Sequence, residues 1–295
     1  NVTNFLALEH YSQWVDAVVL ARELPLSQIS AINEKIKERN LQGPGKQLIQ
    51  TEVFVHGALC IGISGRCGLS LAAYNSSANR GKCFQNCRRT YELKDTESGF
   101  TIHTDGPYLL SPKDICLLQG LQELISSGVG ILKIEGRGRS ADYTAVTTAV
   151  YREALDSYKD NKLPTEEQEK LWLERLSSVF NRGFWHGGYY LGKTAEMWAK
   201  SSDNQATEKR ELIGEVENYY NKNKIVEIII HSGELKISDE VLIIGRNTGA
   251  QRIKITELRQ KGEKVKKVSK AEEITFPCPV KVRAKDKVYK LGIRE

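Results

Sequence analysis

Four of the chain's six cysteines fall within 28 residues, with the spacing Cys-x6-Cys-x15-Cys-x3-Cys. They are Cys60, Cys67, Cys83 and Cys87. Five cations lie among them or directly after them: Arg66, Arg80, Lys82, Arg88 and Arg89. Metals bind the thiolate form of cysteine, and nearby positive charge favours that ionised form. The cluster therefore predicts a metal or iron–sulfur site rather than four inert core cysteines.

The spacing alone leaves the bound group open. A zinc ribbon usually has two short knuckles, and only the second pair of cysteines is close here. Thiolates on an irregular loop are also compatible with a four-cysteine iron–sulfur cluster. Iron–sulfur, zinc, and disulfides or free thiols all remain open from the residues alone.

The length and the apolar pattern indicate a two-domain protein that stays out of the membrane. A chain of 295 residues can bury a large core without disulfides. It contains no run of 18 apolar residues and no basic-then-apolar leader pattern, so we expect neither membrane insertion nor secretion. A cytoplasmic location follows, where thiols stay reduced and serve as ligands.

The order of sequence patterns predicts an α/β domain followed by an all-β domain. Apolar runs at 17–22, 51–56 and 130–136 read as strands, between helical patterns at 26–39, 111–127, 140–159 and 164–178. Beyond these patterns, short β-rich runs are separated by Gly and charged turns. We therefore expect an α/β domain at 1–205 and a small β-barrel at 206–295.

Positive charge is concentrated at the C-terminal end of the chain. Residues 251–295 hold 14 Lys and Arg against 6 Asp and Glu, and the preceding residues hold 29 against 31. A basic module is expected to bind a polyanion, most commonly nucleic acid. The alternative is an ordinary solvated surface.

Charged side chains alternate along the strand pattern at 130–136. Lys133, Glu135 and Arg137 share one face, which in a βα-barrel would point inward and rise toward the mouth. Arg22 and His56 end their own strand patterns at the same rim. We predict that His56, Glu135 and Arg137 are catalytic, and that Arg22 and Lys133 bind an anionic substrate. The alternative is a buried ion-pair network.

Two further candidates lie in a Gly- and aromatic-rich segment at 181–188. Arg182 and His186 belong to a segment that would close over the mouth of a barrel. The alternative is a packed connection. The Gly-x-Ser-x-Gly and His-Glu-x-x-His patterns and the P-loop are absent, so standard hydrolase and nucleotide sites lack support.

The run at 52–70, EVFVHGALCIGISGRCGLS, closely resembles the signature of the collagenase-like U-32 peptidase family. Further family-like pieces follow in order at 21–24, 81–88, 111–117, 133–137 and 181–184. The resemblance covers about residues 1–195 and implies a TIM-like (β/α) barrel followed by a small β-barrel. Family members begin several βα units earlier, so we expect an N-terminally truncated barrel here.

The resemblance also implies an activity other than proteolysis. The better-understood relatives are oxygen-independent hydroxylases that depend on iron–sulfur chemistry, including a prephenate-dependent tRNA uridine 5-hydroxylase. By resemblance, the four clustered cysteines become ligands of a [4Fe-4S] cluster, with Cys116 as a candidate replacement for one of them.

The resulting hypothesis is a tRNA wobble-uridine hydroxylase. Prephenate supplies the oxygen, Arg137 and Arg22 pair with its carboxylates, and His56 or Glu135 moves protons. The basic C-terminal domain grips tRNA. Two alternatives remain: a collagenase-like peptidase, and an RNA-binding module with a structural metal site.

Overall fold

The computed structural model describes residues 2–102, 108–159, 163–192, 196–201 and 203–294. The chain divides into two compact units. The first comprises Asn1–Arg137, Val150–Leu173 and Phe180–Gln205, and the second comprises Gly138–Ala149, Glu174–Val179 and Ala206–Glu295.

Six α-helices lie in the described part of the chain, and three of them have seven residues or fewer. They are α1 (Phe5–Tyr11), α2 (Leu26–Glu38), α3 (Leu69–Tyr74), α4 (Leu121–Ser126), α5 (Ala141–Lys159) and α6 (Glu166–Ser178). Helix α2 confirms the prediction at 26–39. It buries Ile29, Ile32 and Ile36 at helical spacing, as an amphipathic helix should.

The first unit contains a mixed five-stranded sheet and a separate two-stranded hairpin. The sheet strands are β1 (Ala17–Val19), β2 (Gln50–Ala58), β5 (Asp114–Cys116), β6 (Ile131–Ile134) and β7 (Phe184–His186). The hairpin strands are β3 (Leu93–Lys94) and β4 (Thr101–Ile102).

Strand β2 is the centre of the five-stranded sheet. Strands β1 and β6 pair with it in parallel, whereas β5 pairs with it in the antiparallel direction and carries β7 in parallel. Val53 and Val55 of β2 are completely buried, as expected for a central strand. These five described strands form an α/β unit with a parallel-containing sheet, and they do not close into the TIM-like barrel that the resemblance implies.

The helix predicted at 111–127 begins only at Leu121, so this prediction is wrong in its first half. Asp114, Ile115 and Cys116 are buried and pair with the end of β2 instead. The Ser-Pro-x-Asp pattern there has the composition of a helix start, but strand pairing in the core overrides a local preference.

The second unit is built around one antiparallel sheet of eight strands. They are β8 (Glu208–Tyr220), β9 (Ile225–Lys236), β10 (Glu240–Gly245), β11 (Gly249–Lys254), β12 (Arg259–Gln260), β13 (Glu263–Lys264), β14 (Lys267–Pro277) and β15 (Lys287–Ile293). Their order in the sheet is β11-β10-β15-β8-β9-β14-β12-β13.

This sheet encloses an apolar core on one face. Burial alternates along β9, where Val226, Ile228 and Ile230 point inward, as a strand with one covered face requires. The edge strands β11 and β13 are not paired with each other in the described chain, so the sheet is a curled half-barrel rather than the closed barrel expected. Cys278 is buried in this core.

None of the helices that the structure describes combines the length and the apolar character needed to cross a membrane.

Candidate metal centre and active-site cavity

All four clustered cysteines line one cavity of about 570 Å³ in the first unit. Arg22 and Arg137 line the same cavity, together with Phe54 and the polar side chains of Ser70 and Asn86. Its volume lies in the range that holds cofactors and small ligands. The structure thus brings together the cysteines and two of the predicted substrate-contacting cations.

Backbone amides point at two of the sulfurs. The Gly62 N–H donates to the Cys60 Sγ atom at 3.3 Å, and the Gln85 N–H donates to the Cys83 Sγ atom at 3.3 Å. Hydrogen bonds to the charged form of a group favour that form. Each turn therefore places an N–H donor on a sulfur that lines the cavity.

Gly62 also allows the first two cysteines to approach each other. A Cβ atom at this position would lie 2.9 Å from the Cys67 Cβ atom and 3.1 Å from the Arg66 carbonyl oxygen. Any side chain larger than hydrogen would therefore push Cys67 away from Cys60.

Arg88 connects the segments that carry the first and the last cysteine. Its guanidinium donates to the Leu59 carbonyl at 2.9 Å, to the Ser111 hydroxyl at 2.8 Å and to the Pro112 carbonyl. Burial lowers the pKa of Arg88, and the neighbouring charge of Arg182 lowers it further. The side chain next to Cys87 thus fixes the residue next to Cys60.

Helix α3 holds the third and fourth cysteines from the other side. The Phe84 N–H donates to the Ser70 hydroxyl at 3.1 Å, and the Asn86 amide donates to the Leu69 carbonyl at 3.2 Å. The Asn86 Oδ1 atom is buried and has no hydrogen-bond donor among the described residues. A short helix and a few polar contacts therefore position this half of the site.

The four thiols are free and interact electrostatically. Burial raises the pKa of Cys87, and negative charge on Cys60, Cys83 or Cys67 raises it further, whereas Arg88 lowers it. Within the described chain, no three His, Cys, Asp or Glu side chains converge as ligands of a single metal ion. The four cysteines are thus a donor set chemically suited to a soft metal or an iron–sulfur cluster.

Glu135 organises the two arginines on the cavity. Its carboxylate accepts from the Arg22 guanidinium at 3.3 Å and from the Arg137 backbone N–H at 3.0 Å. Arg22 also donates to the Ala58 carbonyl and stacks 3.7 Å from the Phe54 ring centroid. The Arg137 guanidinium is exposed and makes no ion pair or hydrogen bond with any described residue. It is free to bind an anion.

His56 lies in the core rather than on the cavity. It is only 1% exposed, and its ring lies against Tyr151, whose hydroxyl is 3.4 Å from the His56 Nδ1 atom. Tyr151 also donates to the Val55 carbonyl. Cys116, the candidate replacement ligand, is fully buried beside this group, and burial raises the pKa of its thiol to about 11.

The other three predicted residues also lie off the cavity lining. Lys133 pairs with Glu52, and Arg182 lies 3.5 Å from the buried carboxylate of Asp114. His186 is half-buried on β7. Their predicted roles in substrate binding remain predictions.

Sequence reasoning missed the structural roles of Gly62, Asn86 and Arg88. Arg88 was noted only as one of several cations near the cysteines. Nothing local in the sequence distinguishes it from Arg89, because its acceptors are carbonyls at Leu59 and Pro112, far away in the chain.

Comparison with known proteins adds family evidence to this geometry. The family model described as peptidase family U32 matches residues 1–200. A protein named collagenase from Porphyromonas gingivalis is 41% identical over 295 residues, which are 100% of this chain and 71% of that relative.

Two further relatives are named for RNA modification. The tRNA hydroxylation protein P1 of Bacillus subtilis is 35% identical over 187 residues, 62% of this chain and 42% of its own length. A 23S rRNA 5-hydroxycytidine synthase of Escherichia coli is 36% identical over 171 residues, 56% of this chain and 24% of its own length. The family-model match and the collagenase alignment agree with the resemblance in the sequence: the chain belongs to peptidase family U32.

Proposed function

We propose that this chain belongs to an RNA-modifying enzyme that hydroxylates carbon 5 of a pyrimidine base, with the tRNA wobble uridine as target and prephenate as oxygen source. The observation that carries the proposal is one cavity lined by four free thiols and two arginines. The two relatives named for tRNA hydroxylation and rRNA 5-hydroxycytidine synthesis support it.

In this proposal Cys60, Cys67, Cys83 and Cys87 hold a [4Fe-4S] cluster. All four thiols line one cavity, which supports a common bound group. Soft thiolates suit either an iron–sulfur cluster or zinc, and the resemblance to iron–sulfur hydroxylases favours the cluster. When bound, such a cluster supplies one-electron redox chemistry.

Arg137 and Arg22 would bind the carboxylates of prephenate. Arg137 has a free guanidinium on the cavity and is the stronger candidate, since Arg22 already uses its donors on Glu135 and Ala58. Glu135 orients the Arg22 guanidinium and holds the backbone at Arg137. His56 is buried beside Tyr151 and does not line the cavity, so its role in proton transfer stays a prediction.

The second unit would contribute a phosphate-binding surface. Lys264, Lys267, Lys285 and Lys287 each already pair with a glutamate. Four others make no ion pair with any residue that the structure describes: Lys266, Lys270, Lys281 and Arg283.

A wobble base is single-stranded and can enter a cavity at lower free-energy cost than a paired base, which suits this substrate. We also propose that the protein is cytoplasmic, because tRNA is found in the cytoplasm.

The full-length gene, expressed in cells that lack it, tests the proposal. Nucleoside mass spectrometry of tRNA should find 5-hydroxyuridine with the wild-type gene and little with Arg137→Gln. Arg152→Gln is the matched control, because Arg152 is an exposed helical arginine that does not line the cavity. Equal modification by all three genes would show that Arg137 is not part of the site. The absence of 5-hydroxyuridine with all three genes would contradict the proposed function.

A collagenase-like peptidase is the second candidate, since the relative named collagenase aligns along the whole chain. The described residues give little support to peptidase activity. The thiol beside His56 is Cys116, which is fully buried with a raised pKa and is therefore a poor nucleophile. Cleavage of a collagen-like peptide by the purified chain, lost in a Cys116→Ala variant, would favour this candidate instead.

A further inference from the structure

Two aromatic rings are exposed next to the cysteine cavity. Phe84 is 55% exposed and Tyr74 is 46% exposed, and their ring centroids lie 5.2 Å apart. The Arg89 guanidinium lies 5.3 Å from the Tyr74 ring centroid and also bonds to its hydroxyl. A contiguous exposed apolar surface is a candidate interaction site.

The chain segment that carries these rings holds charge of one sign. Residues 53–91 contain five Lys and Arg and no Asp or Glu. Arg80, Lys82 and Arg89 are exposed there, and the Lys82 backbone bonds to Ser76 and Ser77, just beyond Tyr74. We call Tyr74, Phe84, Arg80, Lys82 and Arg89 the aromatic-basic face.

The face borders the cavity. Phe84 directly follows Cys83, and Tyr74 lies about one helical turn beyond Ser70 on α3. Cys83 and Ser70 both line the cavity, and the Ser70 hydroxyl accepts the Phe84 N–H. A ligand that covers the rings is therefore adjacent to a group in the cavity.

We infer that the aromatic-basic face stacks unpaired RNA bases next to the target base. Exposed aromatic rings interleaved with arginine and lysine are the usual platform for single-stranded nucleic acid, since every base has a π-face and every phosphate a charge. Arg80, Lys82 and Arg89 have no acidic residue beside them within 53–91, so the face suits a polyanion such as RNA better than a neutral collagen-like peptide. This inference rests on the proposed function, which identifies the bound nucleic acid as RNA, and it adds the residues that bind that RNA.

Fluorescence anisotropy of the purified chain with a short fluorescein-labelled single-stranded RNA tests the face. Phe84→Ala and Tyr74→Ala should each weaken binding by about 5- to 100-fold, the usual effect of losing one base–aromatic stack. Phe84→Trp should bind as wild type, whereas Phe84→Leu, which keeps apolar area but no ring, should not. Replacing both Arg80 and Lys82 by Gln should reduce the salt dependence of binding.

Phe100→Ala is the matched control, because Phe100 is also exposed but follows the acidic residues Asp95 and Glu97. Equal losses in Phe84→Ala and Phe100→Ala, or full binding by Phe84→Leu, would overturn the inference. So would capture of a collagen-like peptide, but not RNA, by the same rings. Thermal unfolding of each variant establishes that it is folded.

The full-length gene separates this inference from the proposed function. If Phe84→Ala loses RNA binding but no gene yields a hydroxylated base, RNA binding by the aromatic-basic face is supported and the proposed function is contradicted. If Phe84→Ala yields as much 5-hydroxyuridine as wild type, the proposed function is supported and the role of the aromatic-basic face is contradicted.

Discussion

The cysteine segment at 60–91 and the half-barrel of the second unit are ordered in opposite ways. In the cysteine segment the fully buried side chains that the structure describes are both polar, Ser70 and Asn86. The half-barrel instead buries a continuous apolar cluster that includes Ile228, Phe276 and Val288. The half-barrel is thus stabilised by the hydrophobic effect, whereas the cysteine segment depends on directed contacts.

This difference has a functional consequence. A segment with little apolar burial opens locally at low free-energy cost, unless clamps or a bound group hold it. Binding to the folded form alone then stabilises that segment by mass action. The cavity side of this protein should therefore respond strongly to its ligand, while the half-barrel should not.

Loss of the bound group should give the largest effect. We expect the double variant Cys83→Ser/Cys87→Ser, purified without oxygen, to lose its iron and sulfide and the visible absorption of wild type. Limited proteolysis should then cut within 60–101, because the segment has no apolar core to hold it closed. Hydrogen exchange in β8 to β10 should stay unchanged.

Cys278→Ser is the control for that experiment, since Cys278 is buried in the half-barrel and far from the cluster in the chain. It should keep wild-type iron content. Colourless wild-type protein that holds zinc, or no metal at all, would contradict the cluster and favour the structural-metal or metal-free alternatives.

Phe276→Ala should produce the next largest effect, in the other region. Phe276 is 1% exposed, and removing a buried ring costs about 3–5 kcal/mol of unfolding free energy. Urea unfolding followed by circular dichroism measures it. Ile293→Ala, at an 81% exposed position, should change stability by less than about 0.5 kcal/mol. Similar losses from both would mean that the half-barrel core is not where its stability lies.

Arg88→Gln should loosen the cysteine segment by about 1.5–3 kcal/mol, the net contribution of a hydrogen bond made by a charged group. The reaction of Cys60 and Cys87 with a thiol reagent should become faster in the metal-free protein, because Leu59 and the Cys87 segment are no longer tied together. Arg88→Lys should not restore the wild-type rate, since a lysine cannot reach three acceptors in a fork.

Arg80→Gln is the matched control for this variant, because Arg80 is exposed and does not contact Leu59 or Pro112. An unchanged thiol rate in Arg88→Gln would show that the segment is held by something other than this clamp.

The same contrast decides how much could be predicted from the sequence. The half-barrel and the helix at 26–38 follow from local periodicity, because alternating or helical burial is written into neighbouring residues. The Cys60–Cys87 cluster was predicted as one site from residue type and spacing. Neither the TIM-like barrel nor the closed β-barrel was confirmed, and residues 114–116 form a strand rather than the predicted helix. Both differences arise because strand pairing depends on partners far away in the chain.

The predicted catalytic residues illustrate the limit within the site. Alternation along 133–137 predicts that Lys133, Glu135 and Arg137 share one strand face, yet β6 ends at Ile134, and Glu135 reaches Arg22 from beyond the strand. His56 lies in the β2 position predicted for it but points into the core beside Tyr151. Facing direction at a strand end depends on tertiary packing, which a single strand pattern does not contain.

The smallest expected effect concerns the surface of the half-barrel. Lys285 and Lys287 both donate to the Glu215 carboxylate, at 2.8 and 2.7 Å, and lower its pKa to about 2. Because the folded-state pKa is depressed, this carboxylate contributes stability above its ordinary pKa near 4.5, and the contribution is lost as pH falls toward 2.

Glu215→Gln should therefore be slightly less stable than wild type at neutral pH, and the two should converge as the pH falls through this window. Unfolding midpoints measured from pH 7 to pH 2.5 check the sign, at low salt because exposed pairs are screened. A difference that grows on acidification would show that Glu215 prefers its protonated form in the folded state. A constant difference would assign the effect to packing of the side chain, which would extend the apolar account of the half-barrel to its surface.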